Sequence, residues 1–188
     1  MRVIAGTARS LPLKTIEGTD TRPTQDRTKE TLFNVLQNEI PGAEFLDLFA
    51  GSGAISIEAL SRGASHATLV ENNKNAVSCI KDNLKFTKFS DEATLMETDV
   101  MAALYKLGGH KEFDIVFMDP PYGKELEKEV LIYLATSKLI DEDSLIIVEM
   151  SDRTTFDYVH ELGFTVEKLK KYKTNMHLFL KRAGQKED

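Results

Sequence analysis

The stretch FMDPPYGKEL, residues 117–126, ends an apolar run with an acid, two prolines and an aromatic residue. Pro120 and Pro121 cannot donate backbone hydrogen bonds and have fixed φ angles, so they stop a strand and hold the following turn rigid. That leaves two fixed acceptors, the Asp119 carboxylate and the Pro120 carbonyl, beside the ring of Tyr122. Such a site suits a planar group bearing an NH2: two acceptors for its hydrogens and a ring face for stacking. The exocyclic amine of guanine or adenine is a poor nucleophile because its lone pair is delocalised into the ring. Acceptors that draw its hydrogens out of plane expose that lone pair to a sulfonium methyl, and alignment then supplies much of the catalysis. No metal or covalent intermediate is required. The alternative, a rigid surface turn without a ligand, sits poorly with a position directly after a buried run and downstream of a glycine loop.

That glycine loop is DLFAGSGA, residues 47–54, with Asp47, Gly51 and Gly53 at the end of another apolar run. Small residues there let a backbone turn approach a ligand before a helix begins. Eighteen residues after Gly53 comes Glu71, placed to accept hydrogen bonds from both hydroxyls of a ribose. A third run is followed by Asp99, where a carboxylate could meet an adenine amino group. Each acid alone is more often a helix cap or a solvated charge; at three successive strand ends they favour an adenosine ligand. A P-loop needs Lys and Ser/Thr after its glycines, but AISIEA follows here, and Ser56 stands where a dinucleotide fingerprint wants a third glycine. A helix N-terminus without phosphate-binding residues suits a carboxylate, such as the methionine end of S-adenosylmethionine.

The elements that must position these residues alternate. EFLDLF (44–49), ATLVE (67–71), ATLMET (93–98), FDIVFMD (113–119) and SLIIVEM (144–150) read as mostly buried strands. Helical patterns lie between them around Ile55–Leu60, Ala76–Leu84 and Leu126–Leu134. Strands alternating with helices imply crossover units and a doubly wound α/β domain, its sheet mostly parallel. Residues 1–20 read as extended, turn-rich chain, and 21–40 as a helix entered through Pro23 and Thr24 with Leu32, Val35, Leu36 and Ile40 inward. At the other end GFTVEKL and NMHLFLK flank the basic KKYKT turn, an antiparallel hairpin at the sheet edge. We therefore expect an N-terminal arm and helix over 1–40 covering cofactor or RNA, and a catalytic domain over 41–188, together one compact unit.

With 188 residues, 41% of them hydrophobic, the chain can bury a sizeable core. The N-terminus lacks a signal-peptide core and no window reaches the length of a membrane span, so a soluble, cytoplasmic protein and a monomer are expected. The net charge of −6 is unevenly spread. Residues 1–29 carry six Lys/Arg against three acids, residues 30–166 eleven against twenty-four, and residues 167–182 six against one. If the basic ends meet they form a phosphate-binding surface despite the acidic average; the competing reading is ordinary solvated lysines. Cys79, the single cysteine, reads as core filler in a helix. His66, His110, His160 and His177 show no metal-ligand spacing and no nucleophile triad, so they are given no role and no metal is expected.

LDLFAGSGAISIEALSRGA (46–64), LVEN (69–72) and FMDPPY (117–122) resemble the glycine loop, ribose-binding acid and amine-gripping motif of S-adenosylmethionine-dependent N-methyltransferases. More narrowly, RVIAG (2–6), TRPTQDRTKETLFN (21–34) and EALSRGA (58–64) resemble the RsmD family, which methylates guanine N2 at position 966 of bacterial 16S rRNA. The resemblance implies a seven-stranded Rossmann-like methyltransferase sheet. It implies that Asp47, Phe49, Gly51, Ser52 and Gly53 surround the methionine part of S-adenosylmethionine, that Glu71 holds the ribose, and that Asn72 and Asp99 lie beside the adenine. Asp119, Pro120, Pro121 and Tyr122 would position guanine, and the block with Arg22, Thr24 and Arg27 would close over the cofactor or touch RNA. Arg9, Lys170, Lys171 and Lys173 would hold phosphates of 16S rRNA or the 30S subunit, and Tyr172 could stack on a base. Many family members carry Arg-Gly-Arg near residue 10, where this chain reads ARSLPLK. The residues alone leave guanine N2 and adenine N6 both open as acceptors. A DNA adenine methyltransferase would need a target-recognition region larger than the terminal segments here. A non-catalytic cofactor-binding module need not keep Asp119 or Tyr122, and a protein-glutamine methyltransferase would usually show Asn in place of Asp119.

Overall fold

The computed structural model describes residues 1–16, 26–121 and 123–184. Short apolar runs become strands β1 (Glu44–Asp47), β2 (His66–Val70), β3 (Ala93–Met96), β4 (Ile115–Met118) and β5 (Leu145–Ser151), and the terminal hairpin supplies β6 (Phe164–Lys171) and β7 (Asn175–Arg182). They form one seven-stranded sheet in the order β3-β2-β1-β4-β5-β7-β6. The first five strands are parallel, while β7 pairs antiparallel with both β5 and β6. The helices are α1 (Asp26–Val35), α2 (Ala54–Ser61), α3 (Lys74–Thr87), α4 (Val100–Leu107), α5 (Leu126–Thr136) and α6 (Tyr158–Glu161).

Alternation along each strand sends side chains into two cores, one per face. Phe45, Leu69, Phe117, Ile147 and Phe179 pack with Leu32, Ile57 and Ile80 from α1, α2 and α3. On the opposite face Leu46, Val116, Met118, Val148 and Leu178 pack with Leu104, Leu131 and Val159 from α4, α5 and α6. The expected doubly wound sheet and its C-terminal hairpin are both present.

Two boundaries differ from the sequence reading. The described part of the helix expected over 21–40 ends at Val35, after which the chain turns back, with the Glu39 and Ile40 amides donating to the Leu36 carbonyl, to Gly42, whose φ is 81°. Leu36 and Ile40 remain buried. Helix α4 was not anticipated: Asp99, considered as a ligand, accepts a hydrogen bond from the Ala102 amide at 3.0 Å and caps it.

The N-terminal arm doubles back, with Val3 and Leu13 amides donating to the Leu11 and Met1 carbonyls. Its turn docks on the C-terminal end of α2, where Ser61 Oγ accepts from the Ala8 amide at 2.9 Å and donates to the Ala5 carbonyl at 2.6 Å. Gly6 lies at φ 83°, and a Cβ there would stand 1.7 Å from the Ser61 carbonyl oxygen. Nearby, Glu58 on α2 is fully buried and accepts from the amides of Ile4 (2.8 Å) and Ala5 (3.0 Å) and from Arg62 Nε (2.8 Å). Lys29 of α1, also fully buried, places its Nζ 3.3 Å from Glu58 and donates to the Arg2 carbonyl at 2.6 Å.

Glu58→Ala removes the counter-charge of a buried lysine and the acceptor of two amides, so we expect a loss of about 3–5 kcal/mol in urea unfolding. Lys14→Ala, which breaks only the exposed pair with Asp82, should leave the unfolding midpoint near that of the unmodified protein.

Candidate active site

Ligands of an open α/β sheet bind beyond the carboxyl ends of its strands. Here that edge opens into a cavity of about 1190 Å³. Its floor is the turn from β1 to α2, with Asp47, Phe49, Gly51 and Ser52. Gly51 and Gly53 have φ of 55° and 78°, and Gly53 packs so closely on Leu69 and Ile80 that a Cβ would meet them at 3.3 and 3.4 Å. Glu71 ties the next strand to this turn: its Oε2 accepts from the Gly51 amide at 2.9 Å, and its Oε1 from the Asn72 and Asn73 amides at 3.0 and 2.8 Å. Carboxylate oxygens have further lone pairs, so Glu71 can still accept from a ligand hydroxyl. Asn72 and Asp99 line the wall beyond it, and Met1, Thr15 and Ile16 of the arm close another side.

Strand register accounts for the acids. Asp47 on β1 lies opposite Phe117, which lies opposite Ile147, which lies opposite Phe179. Two residues further along, on the same face, Asp119 follows β4, Glu149 sits on β5 and His177 on β7, with Glu149 directly opposite His177. Asp47, Asp119 and Glu149 all line the cavity.

Burial and crowding shift these groups. Asp47 is 1% exposed; Ser56 Oγ donates to its Oδ2 at 2.8 Å, while Oδ1 is buried without a partner. Desolvation pushes its carboxyl up to about 7, against the lowering effect of Ser56. Desolvation also raises Asp119 well above the usual carboxylate range, with the charges of Glu149 and Asp47 adding to it. A cavity in which Asp47 and Asp119 are held away from ionisation, with one carboxylate oxygen of Asp47 unpartnered, fits a ligand that brings a positive charge. The ammonium and sulfonium of S-adenosylmethionine are such charges, so the residues present fit that cofactor.

Asp47, Phe49, Gly51, Ser52, Glu71, Asn72, Asp99, Asp119, Pro120 and Pro121 thus gather at one cavity. Thr24, Arg22 and Tyr122 lie outside the described residues. Arg9 does not reach the cavity: it stands in the turn docked at the C-terminal end of α2, the opposite end from the glycine turn, and Arg27 does not line the cavity either. Ser151 pairs with Asn175 at the end of β5, so the turn bearing Lys171 and Lys173 stands at the carboxyl edge, and Lys170 lies opposite His177. The Tyr172 hydroxyl is 3.2 Å from His177 Nδ1, so that ring is engaged inside the protein. Sequence reasoning missed Glu149 and His177. The signal was period two in NMHLFLK, which puts His177 and Phe179 on the face opposite Met176, Leu178 and Leu180. Among the described residues no group of His, Cys, Asp and Glu could hold a metal ion, and no helix is long and apolar enough to cross a membrane.

The sheet order and this cavity define a Rossmann-like methyltransferase. A family model described as conserved hypothetical protein 95 matches residues 1–181. Ribosomal RNA small subunit methyltransferase D of Haemophilus influenzae is 38% identical over 150 residues, 79% of this chain and 78% of that protein. Its Escherichia coli namesake is 38% identical over 149 residues, 79% of this chain and 74% of its own. Among solved structures, yhhF of Escherichia coli superposes with a TM-score of 0.87 at 33% identity, covering 98% of this chain and 99% of that one. The chain belongs to this family, that of the RsmD proteins.

The raised carboxyl of Asp47 sets a pH dependence. The folded protein holds this proton more tightly than the unfolded chain, so its contribution to stability is full below the ordinary Asp range and is lost as pH rises toward about 7. In urea unfolding of the ligand-free protein, Asp47→Asn should remove that slope and gain stability relative to the parent at pH 8 but not at pH 4.

Proposed function

We propose that the protein transfers a methyl group from S-adenosylmethionine to the exocyclic N2 of a guanine in 16S rRNA, within the 30S subunit or a precursor of it. The observation that carries this reading is the gathering of Asp119 and the Pro120 turn with the Gly51 and Glu71 positions at one cavity. The names of the curated relatives support an RNA acceptor, and the lysine-bearing turn at the same edge supplies charge suited to phosphates.

The cofactor, when bound, supplies an electrophilic methyl on a positively charged sulfur. Asp47, Gly51 and Ser52 would hold its methionine end, Glu71 its ribose, and Asn72 and Asp99 its adenine end. Asp119 and the Pro120 carbonyl accept from the amine hydrogens and turn the nitrogen lone pair toward the methyl. The rigid Pro120-Pro121 turn keeps these acceptors in place without reorganisation, which is where positioning lowers the barrier. The arm and helix over 1–40 serve in this reading as a cover, since Met1, Thr15 and Ile16 already form part of the wall.

The test is transfer of labelled methyl to 16S rRNA and to 30S particles lacking their methylations, followed by nucleoside mass analysis. We expect N2-methylguanosine at one site, with Asp119→Ala lowering the rate by ~10²-fold or more while S-adenosylhomocysteine still binds. N6-methyladenosine, or transfer to DNA alone, would overturn the acceptor; cofactor binding with no transfer to any acceptor would overturn the enzymatic reading.

A further inference from the structure

Glu149 occupies the rung beside Asp119 and is 5% exposed, with its carboxylate at the cavity wall. It is held from behind by two donors on β7. Asn175 Nδ2 donates to Oε1, and His177 Nε2 lies 3.0 Å from Oε2. His177 is itself fully buried and its ring stands edge-on to Phe117, Tyr172 and Phe179. Its other nitrogen faces the Tyr172 hydroxyl at 3.2 Å. Burial, with the charge of Glu149 adding to it, pushes the Tyr172 phenol up to about 12, so it keeps its proton and can donate to Nδ1. A neutral ring that accepts at Nδ1 must carry its hydrogen on Nε2, aimed at Glu149.

The two neighbouring acids are thus treated differently. Glu149 receives two donors and Asp119 receives none from a side chain among the described residues. Asp47 on β1 adds its charge on the far side of Asp119. Lys170 of β6 lies opposite His177, and Lys124, Glu129, Glu71 and Asp99 also line the cavity. Adjacent carboxyls with unlike surroundings divide roles between gripping and proton transfer.

We propose that Glu149 is a catalytic proton acceptor for the acceptor amine and that His177 is its positioning residue; this rests on the methyl-transfer reading above. As the amine lone pair forms the N–C bond, the sulfur keeps the electron pair of the broken S–C bond and the nitrogen is left with one proton in excess. Glu149 takes that N–H proton, becoming a neutral carboxylic acid, and the nitrogen recovers its lone pair as a neutral secondary amine. The proton then leaves through the open cavity to water. His177 Nε2–H and Asn175 hold the carboxylate so that a free lone pair faces the nitrogen.

The experiment uses the full chain with 16S rRNA or 30S particles in single turnover between pH 6 and 9, on the parent protein, E149Q, H177Q and H177L, each checked by melting and S-adenosylhomocysteine binding. E149Q should lose ~10²-fold in rate across this pH range. H177L should also be slow, whereas H177Q, which keeps a donor toward Glu149, should recover most of the rate. Independently of turnover, nitrogen-15 spectra of the His177 ring should show the proton on Nε2. E149Q at the parent rate across the pH range, or a ring protonated on Nδ1 alone, overturns the role of Glu149 while leaving the reaction intact. A parent protein that binds S-adenosylhomocysteine yet methylates no RNA overturns the reaction itself, and the role of Glu149 falls with it.

Discussion

The N-terminal arm, α1 and α2 meet at one buried carboxylate, that of Glu58. An ionised group in a protein interior must be met by donors, and Glu58 has four: two arm amides, Arg62 and Lys29. Their geometry fixes α2 from above while the sheet fixes it from below, and all eight residues of that helix are buried. The glycine turn at the N-terminal end of α2 is therefore set by contacts near its middle and far end. The arm is placed by the same contacts. Its tip rests on Ser61, and its two ends, Met1 and Thr15–Ile16, reach the cavity wall.

Within the cavity, stability and binding pull in opposite directions. Asp47, Asp119 and Glu149 face one space, and the charges of Glu149 and Asp47 raise the cost of ionising Asp119. A cationic small molecule relieves that cost on entry. Outside, the turn carrying Lys171 and Lys173 gives the rim the opposite sign. Some acids from the middle of the chain thus line the cavity while lysines from its basic end stand at the rim of the same edge, a local separation that the net charge of −6 does not describe.

The strands, the doubly wound order and the acids at strand ends were legible because they depend on local pattern: apolar runs of four to seven residues, and an acid or a glycine where each run stops. Asp99 was legible as a residue but double in meaning, since one carboxylate can cap α4 and face the cavity together. What escaped depends on pairing. Glu149 at the end of SLIIVEM resembles any polar residue closing a strand, and His177 gains meaning only when β7 is laid beside β5 in the observed register. The blocks RVIAG, TRPTQDRTKETLFN and EALSRGA were read together as a family resemblance, but not as parts that touch one another. Their shared physical basis, Gly6 against Ser61 and Lys29 against Glu58, joins positions 55 and 29 residues apart that no periodicity links.

The place of β7 in the sheet bears on how the protein comes to exist. It is the last of the described strands in chain order, yet it lies between β5 and β6, not at the rim. Until residues beyond Asn175 have left the ribosome, β5 presents an unpaired edge and β6 has no neighbour. The five parallel strands can assemble earlier, with the glycine turn and Glu71 in place, but Glu149 then lacks both of its donors. A nascent chain can thus form the β1, β2 and β4 strand ends of the cavity before the wall behind Glu149 exists, and pairing of β7 is what supplies both donors to that carboxylate.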